Sequence, residues 1–147
     1  MYLDTAILVK LLVPEPDTEY YGKLVEGQAV SSSWLGYTEV WSALLGKERG
    51  GGITAEQRRR AWAVFERYLE AEFLWLAPAS EAVYKRANRI IEQCHPGVPL
   101  RSLDALHLAT CDQLQDWPLC TNDRRMRDAA GLMGFPLTNL PAGQGGS

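Results

Sequence analysis

MYLDTAILVKLL, residues 1–12, fits a strand and a helix into twelve positions, and its reading decides the fold. Met1 to Asp4 reads as a short strand. Thr5 then opens an apolar helical run that stops before Pro14, because the residue ahead of a proline avoids the α region. The same succession of apolar runs and helical patterns continues along the chain, which is the signature of an α/β domain with a parallel sheet. Asp17 is expected to cap a second helix through Glu26, and Gln28 to Ser32 reads as the second strand. A helix over 34–49 carries apolar Leu35, Trp41, Leu44 and Leu45 and ends at Gly50-Gly51-Gly52. Thr54-Ala-Glu-Gln has the form of a capping box and opens the longest helix, to Glu72, with Ala61, Trp62, Phe65, Tyr68 and Leu69 on its apolar face. Phe73 to Ala77 is the third strand. Ser80 caps a helix to Cys94, a Pro-Gly-Val-Pro turn follows, and Ser102 is expected to cap a helix to Gln115. Pro118 to Thr121 reads as a fourth strand, 123–133 as a helix and Phe135 to Thr138 as a fifth strand. These elements make one domain over residues 1–140, with 141–147 expected to be a disordered tail.

Composition sets the outer limits. With 147 residues, 46% hydrophobic and 22% charged, the chain is near the globular average and large enough to bury a core without staples. A net charge of −3 excludes a generally basic, nucleic-acid-coating protein. Eleven of the fifteen cations are arginines, however, the side chain that forks onto carboxylates and phosphates. The N-terminus shows neither a basic n-region nor a long apolar h-region, and no stretch reaches membrane-span length, so a cytoplasmic location is expected. Cys94, Cys111 and Cys120 have no paired spacing, and the two histidines lack metal-ligand spacing, so neither a disulfide nor a zinc site is indicated.

Four acids stand at positions that do not suit solvated surface. Asp4 ends the first strand and Asp123 follows the fourth. In a parallel sheet all strand C-termini share one edge, where ligands bind, so the two acids face each other if those strands are neighbours. Asp104 lies on a helical stripe with Leu108 and Cys111, and Glu39 on one with Leu35 and Ala43. A buried carboxylate without compensation takes up a proton, so each acid either finds its own partner or converges with the others on a cation. Asp4 and Asp123 as helix N-caps, and Glu39 as an arginine partner, are the structural alternatives. Convergence would suit Mg²⁺ or Mn²⁺, hard ions that favour oxygen ligands and phosphate-bearing substrates.

Four segments resemble one family. YLDTAILVKL (2–11), TEVWSAL (38–44), LRSLDALHLAT (100–110) and TNDRRM (121–126) resemble, in order, the PIN domain, and within it the VapC toxins of type II toxin–antitoxin systems. The resemblance implies a three-layer sandwich, a central parallel sheet in the order 3-2-1-4-5 between helices, and it sets the strands ending in Asp4 and Asp123 side by side. It implies that Asp4, Glu39, Asp104 and Asp123 form a metal-binding catalytic quartet supported by the Thr5 and Thr121 hydroxyls. It also implies an endoribonuclease acting on an RNA such as tRNA or rRNA, a VapB-like antitoxin as partner, and a homodimer. A PIN nuclease of RNA processing or DNA cleavage and an inactive PIN binding module are the alternatives. Arg101, Arg124 and Arg125 flank the predicted ligands and are candidate phosphate contacts, with structural pairing to neighbouring acids as the alternative. Arg58-Arg59-Arg60 reads as a solvated face, since consecutive helical residues diverge by 100°. His107 reads as a core or supporting residue rather than a general base. Trp34, Trp41 and Trp62 read as core packing or as an apolar groove for a partner helix.

Overall fold

Seven helices and four strands alternate along residues 1–144, the part of the chain that this computed structural model describes. They are β1 (Tyr2–Leu3), α1 (Thr5–Leu12), α2 (Thr18–Val25), β2 (Val30–Ser33), α3 (Leu35–Arg49), α4 (Ala55–Glu70), β3 (Leu74–Ala77), α5 (Glu81–Cys94), α6 (Ser102–Leu114), β4 (Leu119–Cys120) and α7 (Arg124–Met133). The strands form one parallel sheet in the order β3-β2-β1-β4, so β1 and β4 are neighbours, with Tyr2 opposite Leu119 and Leu3 opposite Cys120.

Side chains on a strand alternate between faces, and here the two faces carry separate apolar cores. Leu3 and Cys120 pack with Ile7, Val40, Leu44 and Phe65 under α1, α3 and α4. Tyr2 and Leu119 pack on the opposite side with Ile90, Leu108 and Met126, under α5, α6 and α7. Tyr2, Leu3, Leu119 and Cys120 are all fully buried, as expected for strands covered on both faces. The short β1 suffices because both of its residues are enclosed.

Four expectations are corrected. The fifth strand at 135–138 reduces to a single parallel bridge, Leu119 to Leu137. There, the Leu119 N–H donates to the Pro136 carbonyl at 2.9 Å and the Thr138 N–H to the Leu119 carbonyl at 3.0 Å. β4 has only two residues to offer a neighbour and Pro136 has no N–H, so the ladder goes no further. Ser102 is the first residue of α6 rather than its cap; Arg101 holds the cap position and supplies no side-chain cap. Asp17 stands at the cap position of α2 but makes no side-chain cap, because its carboxylate is taken by Lys10 and Gln144. On α3 the buried stripe is Gly36, Val40 and Leu44, while Trp41 is 40% exposed. Other start signals match: Thr54 and Gln57 form the reciprocal capping box, and Ser80 caps α5.

Residues 141–144 of the expected disordered tail form a turn, and the Gln144 amide donates to Asp17 Oδ2 at 3.1 Å. Residues 145–147 lie outside the described residues. The three cysteines are free and buried, and burial pushes the Cys120 thiol up to about 11. No described helix is long and apolar enough to cross a membrane.

Candidate active site

Adjacent strands deliver two of the four acids to the same edge. Asp4 leaves β1 as the N-cap of α1, and Asp123 follows β4 as the N-cap of α7. Asp4 Oδ1 accepts the Ile7 N–H at 3.0 Å, and Asp123 Oδ1 accepts the Met126 N–H at 2.9 Å. The second oxygen of each acid is turned to other work. Thr121 donates its hydroxyl to Asp4 Oδ2, while its Oγ1 accepts the Asp123 N–H at 3.1 Å, so one side chain ties the two acids together. The helix-cap reading and the convergence reading are therefore compatible: one oxygen of each acid caps a helix, and both residues line the same cleft.

Glu39 comes from α3 and Asp104 from the first turn of α6. Glu39 Oε1 accepts the Thr5 hydroxyl at 3.1 Å and the His107 Nε2–H at 2.6 Å. Asp104 Oδ2 accepts the Arg101 Nε–H at 2.8 Å, and the other end of that guanidinium stands 3.6 Å from Asp123 Oδ2. Arg101 is 62% exposed, so this is a cation reaching in from solvent. All four acids, with Thr5 and Arg101, line one cleft of about 650 Å³.

Electrostatics differ among the four. Burial pushes the Asp4 carboxyl above its ordinary value, with Asp123 adding to the rise, while the bonds from Thr121 and Ile7 and the proximity of His107 pull it back. Burial also acts upward on Glu39, but the His107 bond and charge, then Thr5 and Arg101, outweigh it and hold that carboxyl below the usual range. The N-termini of α1, α6 and α7 meet at this edge, and each favours negative charge. Among the described residues, no three acids, histidines or cysteines close on one point tightly enough to enclose a metal ion. The donor set itself consists of carboxylate oxygens without thiolate, which suits a hard divalent cation. The Arg101 guanidinium supplies positive charge between Asp104 and Asp123.

The remaining candidates separate cleanly. Arg124 and Arg125 are exposed on the first turn of α7 and do not line the cleft; Arg124 stands 3.9 Å from Asp128. Arg58 pairs with Glu48 and lies over the Trp41 ring, and Arg60 pairs with Glu56, so the arginine run forms no common grip. Sequence reading missed Lys10 and Glu15, which also line the cleft. Lys10 Nζ donates to Glu15 Oε2 at 2.5 Å and to Asp17 Oδ1 at 2.8 Å, and Lys47 reaches Glu15 at 2.9 Å. The available signal was a lysine amid the apolar run of α1 followed by two acids within seven residues.

One stability prediction arises from Asp4. Its folded pKa is raised, so its contribution to stability is present below the unfolded carboxylate value and is lost as pH rises through the folded one. At neutral pH the buried charge is a cost. Asp4→Asn keeps the cap oxygen for Ile7 and removes that charge, so in EDTA the variant should melt at the parent temperature or higher. A clear fall in melting temperature would show instead that the negative charge is a structural requirement.

The chain is similar to known proteins in sequence and in fold. Residues 1–132 match the family model of the PIN domain. The chain is 34% identical over 140 residues to Ribonuclease VapC46 of Mycobacterium tuberculosis, covering 93% of this chain and 95% of that protein. It is 30% identical over 142 residues to Ribonuclease VapC47 of the same species, with 92% and 93% covered. Among solved structures it resembles a chain in the crystal structure of VapBC2 from Rickettsia felis bound to a DNA fragment from their promoter, with a TM-score of 0.66, 16% identity and 94% and 96% of the two chains covered. A chain of a toxin–antitoxin complex from Klebsiella pneumoniae gives a TM-score of 0.57 at 21% identity, with 94% and 95% covered. At those identities the structural likeness is one of fold.

Proposed function

The chain belongs to the PIN-domain family, alongside proteins named as VapC ribonucleases, and from that premise we propose that it is a divalent-metal-dependent endoribonuclease, the toxin of a VapBC-type module. The observation that carries this reading is the convergence of Asp4, Glu39, Asp104 and Asp123 on one cleft at the C-terminal edge of a parallel sheet. These four residues would hold Mg²⁺ or Mn²⁺. Such an ion supplies activation of water and neutralisation of charge at a phosphodiester.

The chain's own groups have separable tasks. The helix N–H groups of Ile7 and Met126 hold Asp4 and Asp123 in place by one oxygen each, and Thr121 fixes their relative position. Positive helix ends at the same edge favour an anionic backbone. Arg101, on the rim, is the arginine placed to pair with a substrate phosphate once its carboxylate partners are otherwise neutralised. A cytoplasmic RNA such as tRNA or rRNA is the substrate, and a VapB-like antitoxin and a second copy of the chain are the partners in this reading.

Purified protein should cleave tRNA in Mg²⁺ or Mn²⁺ and stop in EDTA. Equal cleavage in EDTA by protein free of contaminating nuclease would refute the metal mechanism. Relief of growth arrest by co-expression of a short neighbouring reading frame would support the toxin assignment. Arrest that no neighbouring frame relieves would count against it.

A further inference from the structure

Three polar side chains run through the interior behind Glu39. The Tyr2 hydroxyl lies 2.7 Å from His107 Nδ1, and His107 Nε2 lies 2.6 Å from Glu39 Oε1. Tyr2 is fully buried on β1 and His107 is 2% exposed on α6, among buried Ala105, Leu106, Leu108 and Ala109. Thr5 adds its hydroxyl to the same carboxylate oxygen at 3.1 Å and stands 3.3 Å from Nε2.

An ionised carboxylate only accepts, so Nε2 carries the hydrogen that faces Glu39, and Nδ1 is paired with the Tyr2 hydroxyl, which donates to a neutral imidazole and accepts from an imidazolium. Each bond removes a freedom: the Tyr2 bond fixes the orientation of the imidazole, and the imidazole fixes one oxygen of Glu39. Core packing alone does not call for this arrangement. Burying a hydroxyl and an imidazole costs free energy that an apolar pair of similar size would avoid, unless every polar atom is satisfied. Here the polar atoms are satisfied by a chain that ends on a carboxylate of the cleft. Glu39 also differs from Asp4 and Asp123, whose Oδ1 atoms are anchored by helix N–H groups. Glu39 projects from the second turn of α3, past the free N–H groups of the helix start, so its anchor has to come from side chains.

We propose that Tyr2 and His107 are a buried positioning pair that fixes Glu39 Oε1 and leaves Oε2 directed to the divalent cation of the cleft. The inference rests on the metal-dependent reading above. Tyr2 is sealed from the cleft, and His107, though it borders the cleft, is 2% exposed with its Nε2 committed to Glu39; His107 therefore acts through Glu39, and Tyr2 acts through His107.

Calorimetric Mn²⁺ titration of the full chain tests it, with wild type, His107→Leu, His107→Gln and Tyr2→Phe compared. Outer partners of metal ligands typically contribute 10- to 100-fold to metal affinity, so His107→Leu should weaken Mn²⁺ binding by roughly that factor. His107→Gln keeps an N–H donor for the carboxylate and should recover most of the loss. Tyr2→Phe keeps the ring and removes one oxygen, and should weaken binding severalfold. Cleavage by His107→Leu should return at saturating Mn²⁺ with the KM for RNA unchanged, which a merely damaged fold would not do. If His107→Leu does not fold, Tyr2→Phe carries the test alone. Mn²⁺ affinity unchanged in every folded variant would overturn the proposal while leaving the metal reading intact. A wild type that binds no Mn²⁺ would overturn both.

Discussion

Asp104→Asn should lower RNA cleavage by at least roughly two orders of magnitude, the scale on which a preorganised charged or dipolar group acts in an active site, while leaving the fold intact. The side-chain volume is kept and only the charge goes. In the folded chain Asp104 Oδ2 has one close partner, Arg101, which is 62% exposed and returns to water when released. Exposed pairs of this kind contribute about 0–1 kcal/mol. The first-turn position adds a helix-dipole interaction of about 0.3–1 kcal/mol that the amide forfeits. The melting temperature should therefore move little while turnover collapses, and the Mn²⁺-induced rise in melting temperature should shrink. The measurement is a paired cleavage assay and thermal melt, with and without Mn²⁺. Wild-type turnover in the variant would remove Asp104 from the site.

Lys10→Met should have the opposite profile, a large loss of stability. The Lys10 side chain is 11% exposed and that of Asp17 6%, and Lys10 also serves Glu15. Removing one partner of a buried pair costs about 3–5 kcal/mol, because a charge is left behind without compensation. Gln144 remains on Asp17 and Lys47 on Glu15, which puts the expectation at the lower end, about 3 kcal/mol or roughly 6–12 °C in melting temperature. The pH dependence has a definite sign. Burial acts upward on Asp17 and Glu15, but the Lys10 bonds outweigh it and hold both carboxyls below their ordinary values. Depressed folded values give stability that is present above the unfolded carboxylate range, near pH 4, and is lost as pH falls through the folded values. Burial acts downward on Lys10, but its two acids outweigh it and raise its value, so its contribution is lost only as pH rises through that raised value. Wild type should thus lose stability steadily below about pH 4. Lys10→Met should start lower and lose less over the same interval. Equal midpoints in urea at neutral pH would contradict the buried network.

What the sequence made legible depended on whether local pattern or tertiary closure decided the outcome. Thr54 and Gln57 sit three residues apart and cap a helix by local geometry, and the structure forms that box. The strand order of β1, β2, β3 and β4 follows the arrangement implied by the family resemblance, and it sets Asp4 beside Asp123. The stretch 135–138 has strand-like residues, yet whether it pairs depends on the length of β4, a property of another segment. Trp41 belongs to an apolar pattern but shares its surface with Arg58, a neighbour ten or more residues away that no helical periodicity reveals. The same limit applied at the cleft. The four acids were visible from their strand-end and helix-face positions. Tyr2 looked like an ordinary strand residue, and only the fold sets its hydroxyl against a histidine 105 positions later.

The most direct test of the four-acid cleft is a crystal of the wild-type chain soaked in Mn²⁺, with diffraction recorded above and below the manganese absorption edge. An anomalous peak within the cleft, ligated by carboxylate oxygens from among Asp4, Glu39, Asp104 and Asp123 with Arg101 displaced from its bridging position, is the result this account predicts. A cleft without a peak, with Arg101 still spanning Asp104 and Asp123 at saturating Mn²⁺, would contradict it.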